Sequence, residues 1–191
     1  MLQVVLLGII LHAQVLAVAP RTPEPCFKPT PSEEHTTRHL EKLTEAKLRK
    51  LIRTRDGNAL FINVWATWCQ PCVEEFPDIV RLSEDMKGQK IEFVGVSGDD
   101  MEDESSKVIP FIEKEKAHFK FYIAKLEGED EFINAFDKQW GGGIPATFTF
   151  DAHGRLKAFL LGEQRYEHLK AAAEKALGAK KTTSVPPEPK K

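Results

Sequence analysis

Cysteine is scarce in this chain: three residues in 191. That is too few for a disulfide-stapled scaffold and too few for a four-thiolate zinc site, so whatever the cysteines signify lies in their spacing. An excess of one charge is also missing. Lysine and arginine number 27 against 29 aspartates and glutamates, a net charge of −2, so no global basic field gathers phosphates and a nucleic-acid partner is not expected. Glycine and proline, twelve each, fall short of a collagen-like or low-complexity composition. What is there, 41% hydrophobic and 29% charged residues, is a globular mixture, and the length leaves room for one domain plus appendages.

Residues Leu2 to Val18 are almost all apolar, the length and character of a signal h-region and short for a membrane span. Cleavage is expected near Ala17, because a cut after Ala19 would leave Pro20 directly behind the scissile bond. No lysine or arginine precedes Arg21, so three alternatives stand: a signal peptide over residues 1–19, an uncleaved anchor over the same residues, or a buried N-terminal helix. Export is the reading carried forward. It makes the chain periplasmic or otherwise exported, in a compartment where disulfides form. Five prolines between Pro20 and Pro31 make residues 20–32 a tether. From Ala179 onward lysine, proline and threonine dominate, and residues 179–191 are expected to be a disordered tail.

Between these ends, Leu40, Leu43, Leu48, Leu51 and Ile52 lie near helical spacing, which predicts an amphipathic helix within Glu33 to Arg53, ended by the turn Asp56-Gly57. Ala59 to Ala66 is an apolar run of the kind a buried strand needs. A helical pattern to about Lys87, a strand over Ile91 to Ser97, a helix near Ser105 to Ala117 and a strand over Phe119 to Ala124 follow. Next come a helix near Glu129 to Trp140, a hairpin of Ala146 to Phe150 and Leu156 to Leu161 around Asp151-Ala152-His153-Gly154, and a last helix from Arg165 to Leu177 capped by Gly178. Strands alternating with helices, then a hairpin and a terminal helix, predict an α/β fold with a mixed sheet covered on both faces.

The chemistry concentrates in Asn63-Val64-Trp65-Ala66-Thr67-Trp68-Cys69-Gln70-Pro71-Cys72, a C-x-x-C where a strand gives way to a helix. A cysteine at a helix N-terminus faces unpaired N–H groups and the positive end of the dipole, which favour thiolate over thiol. Cys69 is therefore the expected nucleophile, and Cys72, inside the first turn, the expected resolving thiol. Pro71 fits the first turn, where a missing N–H costs nothing. A soft-metal site using the same two cysteines, as in a copper-delivery module, is the alternative chemistry, though no clustered methionine or histidine accompanies them.

Trp-Cys-Gln-Pro-Cys after an apolar strand resembles the thioredoxin superfamily. Pro77, five residues after Cys72, stands where that family carries a helix-kinking proline, and Gly143-Ile144-Pro145-Ala146-Thr147 resembles its cis-proline loop beside the disulfide. With Glu75 in Cys-x-x-Glu-Phe-Pro, the segment is most similar to the exported TlpA/ResA-like branch of thiol-disulfide oxidoreductases, and the likeness spans Leu40 to Leu177. The resemblance implies a thioredoxin-like domain over residues 33–178. It implies that Ile144 and Pro145 offer backbone groups to substrate, and that the protein reduces disulfide-containing proteins such as apocytochromes c. A membrane thiol-disulfide reductase would recharge it, with no cofactor. Asn63 occupies the place of the buried aspartate of cytosolic thioredoxins, and an amide accepts no proton. Glu75 fills the carboxylate slot of the TlpA/ResA-like branch, one turn from Cys72, and is the expected proton acceptor, with a raised pKa from burial; a solvated carboxylate like Glu74 is the alternative.

The remaining residues read more blandly. Trp65 is expected in the core and Trp68 at the surface where substrate docks. Cys26, in the tether, has no lipobox before it and is expected to be a free or intermolecular thiol. Asp99, Asp100, Glu102, Asp103 and Glu104 lack calcium-loop spacing and are expected to form a solvated loop. His35 and His39, four apart on the expected first helix, lack a third metal ligand, so no metal site is expected. Gly141-Gly142-Gly143 lacks a dinucleotide-loop context. The Pro-x-x-x-Thr-x-x-Cys pattern of peroxiredoxins is absent around Cys69.

Overall fold

Seven consecutive buried residues, Ala59–Trp65, form the central strand of the molecule. The computed structural model describes residues 39–126 and 130–178. In chain order the elements are β1 (Glu41–Lys42), α1 (Glu45–Arg53), β2 (Ala59–Trp65), α2 (Gln70–Asp85), β3 (Ile91–Ser97), α3 (Ile109–Lys114), β4 (Lys120–Ile123), α4 (Asp130–Phe136), β5 (Ala146–Phe150), β6 (Leu156–Leu161) and α5 (Tyr166–Ala176). The sheet order is β1-β4-β3-β2-β5-β6. The first four are mutually parallel, β5 is antiparallel to β2, and β6, antiparallel to β5, runs in the direction of the first four. The expected α/β architecture with a mixed sheet is borne out.

Strand alternation divides the core. Leu60, Ile62 and Val64 of β2 point into a cluster with Leu48 and Ile52 of α1 and Phe132 and Phe136 of α4. The odd positions face the other way: Phe61 meets Ile79 and Leu82 of α2 and Leu169 of α5, and Trp65 meets Cys69, Cys72 and Phe76. Asn63 shares the odd parity, which turns its amide toward α2 rather than solvent.

Three expectations about elements need correction. The helix expected within Glu33 to Arg53 is α1, but it starts at Glu45, capped by Thr44, and leaves out Leu40 and Leu43; Glu41 and Lys42 pair with Tyr122 and Ile123 of β4 instead. Leu40 and Leu43 are buried without being helical, so a strand and a cap imitate helical spacing. The segment before α3 is a 3₁₀ turn at Met101–Asp103 followed by a π-helical turn at Glu104–Val108. The helix expected near Glu129 to Trp140 ends at Phe136, and Trp140 is buried beyond it with its indole N–H donating to the Gly143 carbonyl at 2.8 Å. The leader, the tether with Cys26, His35 and the tail after Gly178 lie outside the described residues.

The hairpin turn shows how one glycine ties the sheet to α1. Gly154 has φ +73°, and a Cβ there would sit 2.5 Å from the Ile52 carbonyl oxygen at the end of α1. Gly154→Ala is expected to destabilise the fold by about 2–4 kcal/mol, left-handed backbone strain plus a clash with main chain, read from the urea midpoint.

Candidate active site

β2 ends at Trp65, and the chain turns through residues 66–68 to place Cys69 as the N-cap of α2 with extended backbone angles, φ −89° and ψ 97°. No side chain caps this end, so the first N–H groups of the helix are left for whatever occupies the Cys69 position. The two cysteine sulfurs are joined at 2.05 Å, with Cα atoms 5.2 Å apart. Both residues are buried, packed with Trp65, Phe76, Val108 and Ile112. Reduction of this bond would give a Cys69 thiolate stabilised by the helix N-terminus.

Glu75 lies one turn beyond Cys72 on α2 and is only 2% exposed. Its Oε1 accepts from Asn63 Nδ2 at 2.9 Å, and its Oε2 accepts from the Gln164 backbone N–H at 2.6 Å. Burial pushes its pKa up to about 7 against the opposing pull of those two donors, with the negative charges of Glu163 and Asp78 adding to the rise. A carboxyl group titrating near neutrality is suited to take up and return a proton at working pH. Asn63 Nδ2 also donates to Thr147 Oγ1 at 3.1 Å, across the ladder position where Asn63 pairs with Thr147 of β5.

Two residues before Thr147 the Ile144–Pro145 peptide is cis. Gly142, at φ +82°, leads into this bend, and the Pro145 carbonyl accepts from the Gly162 N–H at 2.9 Å. Ile144 is half-buried against the cluster that holds Cys69 and Cys72. Trp68 is 67% exposed on the turn before Cys69, whereas Trp65 is fully buried. The fold therefore gathers Cys69, Cys72, Glu75 and the Ile144–Pro145 bend around one end of α2, with Trp68 projecting from the same turn.

Asn63→Asp would set a second carboxylate within hydrogen-bonding distance of Glu75. Like charges at that separation do not both ionise, so one of the pair is expected to titrate well above 7, and the variant to lose stability progressively above neutral pH. Unfolding midpoints measured from pH 5 to 9 check this.

The AhpC/TSA family profile matches residues 30–159. The chain belongs to the AhpC/TSA family. Within this AhpC/TSA chain the positions seven and three before Cys69 are Ile62 and Ala66, so the peroxiredoxin pattern remains unfilled. Among relatives, the thiol-disulfide oxidoreductase ResA of Geobacillus thermodenitrificans is 29% identical over 118 residues, 62% of this chain and 63% of that protein. The thiol:disulfide interchange protein HelX of Rhodobacter capsulatus is 30% identical over 109 residues, 56% of this chain and 54% of that protein. The chain thus spans less than two thirds of the length of either relative. A crystal structure of a thioredoxin-family thiol:disulfide interchange protein from Chlorobium tepidum superposes with a TM-score of 0.54 at 26% identity, covering 71% of this chain and 86% of that one. The resemblance to thioredoxin-fold, ResA-like proteins is borne out.

Two sequence expectations fail at the site's edge. The acidic run is not a solvated loop throughout: Asp99 and Glu104 are buried. Glu104 accepts from the Leu40 backbone N–H and lies 3.5 Å from His39 Nδ1, and His39 is not helical. Among the described residues no group of three or more histidine, cysteine, aspartate or glutamate side chains is placed to hold a metal ion, which leaves the copper-delivery alternative without support. Sequence reasoning also missed the Gln164 backbone donor to Glu75. Its 89-residue separation leaves no local signal.

Proposed function

We propose that this protein is an exported thiol-disulfide oxidoreductase that reduces protein disulfides through Cys69 and Cys72. The observation that carries the reading is the Cys69–Cys72 disulfide at the N-terminus of α2, with the buried Glu75 carboxyl one turn away. The oxidoreductase names of the relatives support it.

In the reduced protein the Cys69 thiolate attacks one sulfur of a substrate disulfide. The substrate S–S bond breaks, a Cys69–substrate mixed disulfide forms, and the first substrate sulfur leaves as a thiolate that takes a proton from water. Glu75 accepts the proton of Cys72, whose thiolate then attacks Cys69 Sγ. The mixed disulfide breaks, the second substrate thiolate leaves, and the Cys69–Cys72 bond is restored. Two electrons have passed from the cysteine pair to the substrate. Trp68 and the Ile144–Pro145 bend form the docking surface, where an extended backbone beside the substrate cystine finds main-chain partners.

Electrons return from a membrane thiol-disulfide reductase, and apocytochromes c are the substrate class implied by the ResA-like resemblance. No cofactor or nucleic acid takes part. The apolar residues 1–19 export the chain, with membrane attachment only if they remain uncleaved. Residues 20–32 tether the domain of residues 33–178, and residues 179–191 form its tail. No helix among the described residues is long and apolar enough to cross a membrane.

The test is turnover. With dithiothreitol as electron source, the full chain should accelerate reduction of insulin disulfides over dithiothreitol alone. No acceleration, or faster disulfide formation in a reduced unfolded protein, would overturn the reading.

A further inference from the structure

Asp99 is a buried carboxylate that the exchange chemistry leaves unused. It follows β3, and its surroundings come from topology. β2 and β3 are parallel neighbours with Trp65 paired to Ser97, so the loops leaving their C-terminal ends run side by side, tied by Gly98 N–H donating to the Trp65 carbonyl at 2.7 Å. The first loop is the turn that carries Thr67 and Trp68 into Cys69. The second carries Asp99.

Both oxygens of Asp99 are committed to that junction. The Thr67 backbone N–H donates to Oδ1 and Oδ2 at 3.2 and 3.0 Å, and the Thr67 hydroxyl donates to Oδ1 at 2.5 Å. The Ser97 hydroxyl donates to Oδ2 at 2.6 Å, while Ser97 Oγ accepts from the Asp99 N–H at 3.0 Å. Asp99 itself is 3% exposed, yet Trp68, next to Thr67, is 67% exposed. A large apolar ring is thus held out in solvent by a turn whose backbone is pinned from beneath through charge-assisted hydrogen bonds. The Cys69 N–H, donating to the Ala66 carbonyl at 3.2 Å, closes the same turn.

We infer that Asp99 is a positioning residue that fixes the Thr67–Trp68 turn so that a polypeptide substrate docks against Trp68 with its disulfide in line with Cys69. The inference rests on the oxidoreductase reading above. It is specific to large substrates. A polypeptide must be placed by the turn before sulfur meets sulfur, and loosening the turn loses that placement. A small alkylating reagent reaches the thiol without docking.

The experiment uses the full-length chain, reduced, with two probes: insulin as protein disulfide and iodoacetamide as small reagent. Asp99→Ala is expected to reduce insulin at least tenfold more slowly while Cys69 alkylation changes less than twofold. Asp99→Asn, which keeps an acceptor for the Thr67 N–H, should fall between. Thr67→Val removes the hydroxyl arm without emptying the buried site and should show the same selective loss. Thr67→Ser should restore the wild-type rate. Wild-type chain inert toward insulin would sink the oxidoreductase reading and this inference with it. Active wild type with every variant within twofold would show that the turn needs no brace. Equal losses toward insulin and iodoacetamide would show that Asp99 acts on the thiol or on the fold at large, and would also overturn the inference.

Discussion

Cys72→Ser is expected to stop the reaction half-way, with Cys69 covalently attached to substrate. Attack by Cys69 needs only its own thiolate, but release needs a second sulfur, and the 5.2 Å Cα separation places Cys72 to supply it. A serine hydroxyl does not displace a thiolate. Turnover should fall by at least about a thousandfold, roughly 4 kcal/mol of lost transition-state stabilisation at 1.36 kcal/mol per tenfold. Peptide mapping should place an adduct with a disulfide-containing peptide on Cys69, reversed by dithiothreitol, with none on Cys72 in Cys69→Ser. An adduct that maps to Cys72 just as readily when Cys69 is serine would reverse the assignment of the two thiols.

Glu75→Gln should separate what the carboxyl does for the reaction from what it costs the fold. With its pKa raised from 4.5 to about 7, the folded chain holds a proton between those values that the unfolded chain has released. Stability from this group is fully present below about pH 4.5 and is lost as pH rises through about 7, on the order of 3 kcal/mol by pH 8 at 1.36 kcal/mol per unit. Glutamine keeps the shape and carries no charge. Its oxygen can accept from Gln164 while the Asn63 amide turns over to accept from its nitrogen. The variant should therefore be about 2 kcal/mol more stable than wild type at pH 8 and no more stable at pH 4.5, by urea unfolding. Resolution of the mixed disulfide should slow by about a hundredfold, the lower end for loss of a general base, and lose its pH dependence near neutrality. An unchanged pH profile of thiol alkylation would refute the proton-acceptor role.

Local patterns were readable where local physics decides. The hairpin strands Ala146–Phe150 and Leu156–Leu161 stand at their expected bounds, because β-rich runs flank a turn whose Gly154 takes the left-handed backbone the bend requires. The Cys69–Cys72 spacing at a strand-to-helix junction was equally legible, since two thiols three apart at a helix start lie within bonding reach. Contacts that close over long sequence separation were not. Asp99 sits in a run of acids whose local signal is solvation, and only the β2–β3 pairing, which sets Ser97 beside Trp65, gives it the Thr67 donors that make burial tolerable. Glu104 is buried because β1 docks on β4 and brings the Leu40 N–H to it, a two-residue strand too short for any periodicity. Asn63 lies between these cases. The resemblance placed Asn63 where cytosolic thioredoxins bury an aspartate, but its direction toward α2 and its bond to Glu75 needed the sheet and the helix in place.

The central claim is that Cys69 and Cys72 form a reversible two-electron couple poised for reduction of other proteins. The full chain equilibrated in graded dithiothreitol buffers, acid-quenched, alkylated and mapped by mass over the peptide that contains both cysteines, measures this directly. The account predicts that both residues gain the label together in one transition, with a midpoint at or below about −250 mV, near the reducing end of the roughly −270 to −120 mV range of thioredoxin-like proteins. A midpoint near about −120 mV, or a pair that never titrates, would contradict it.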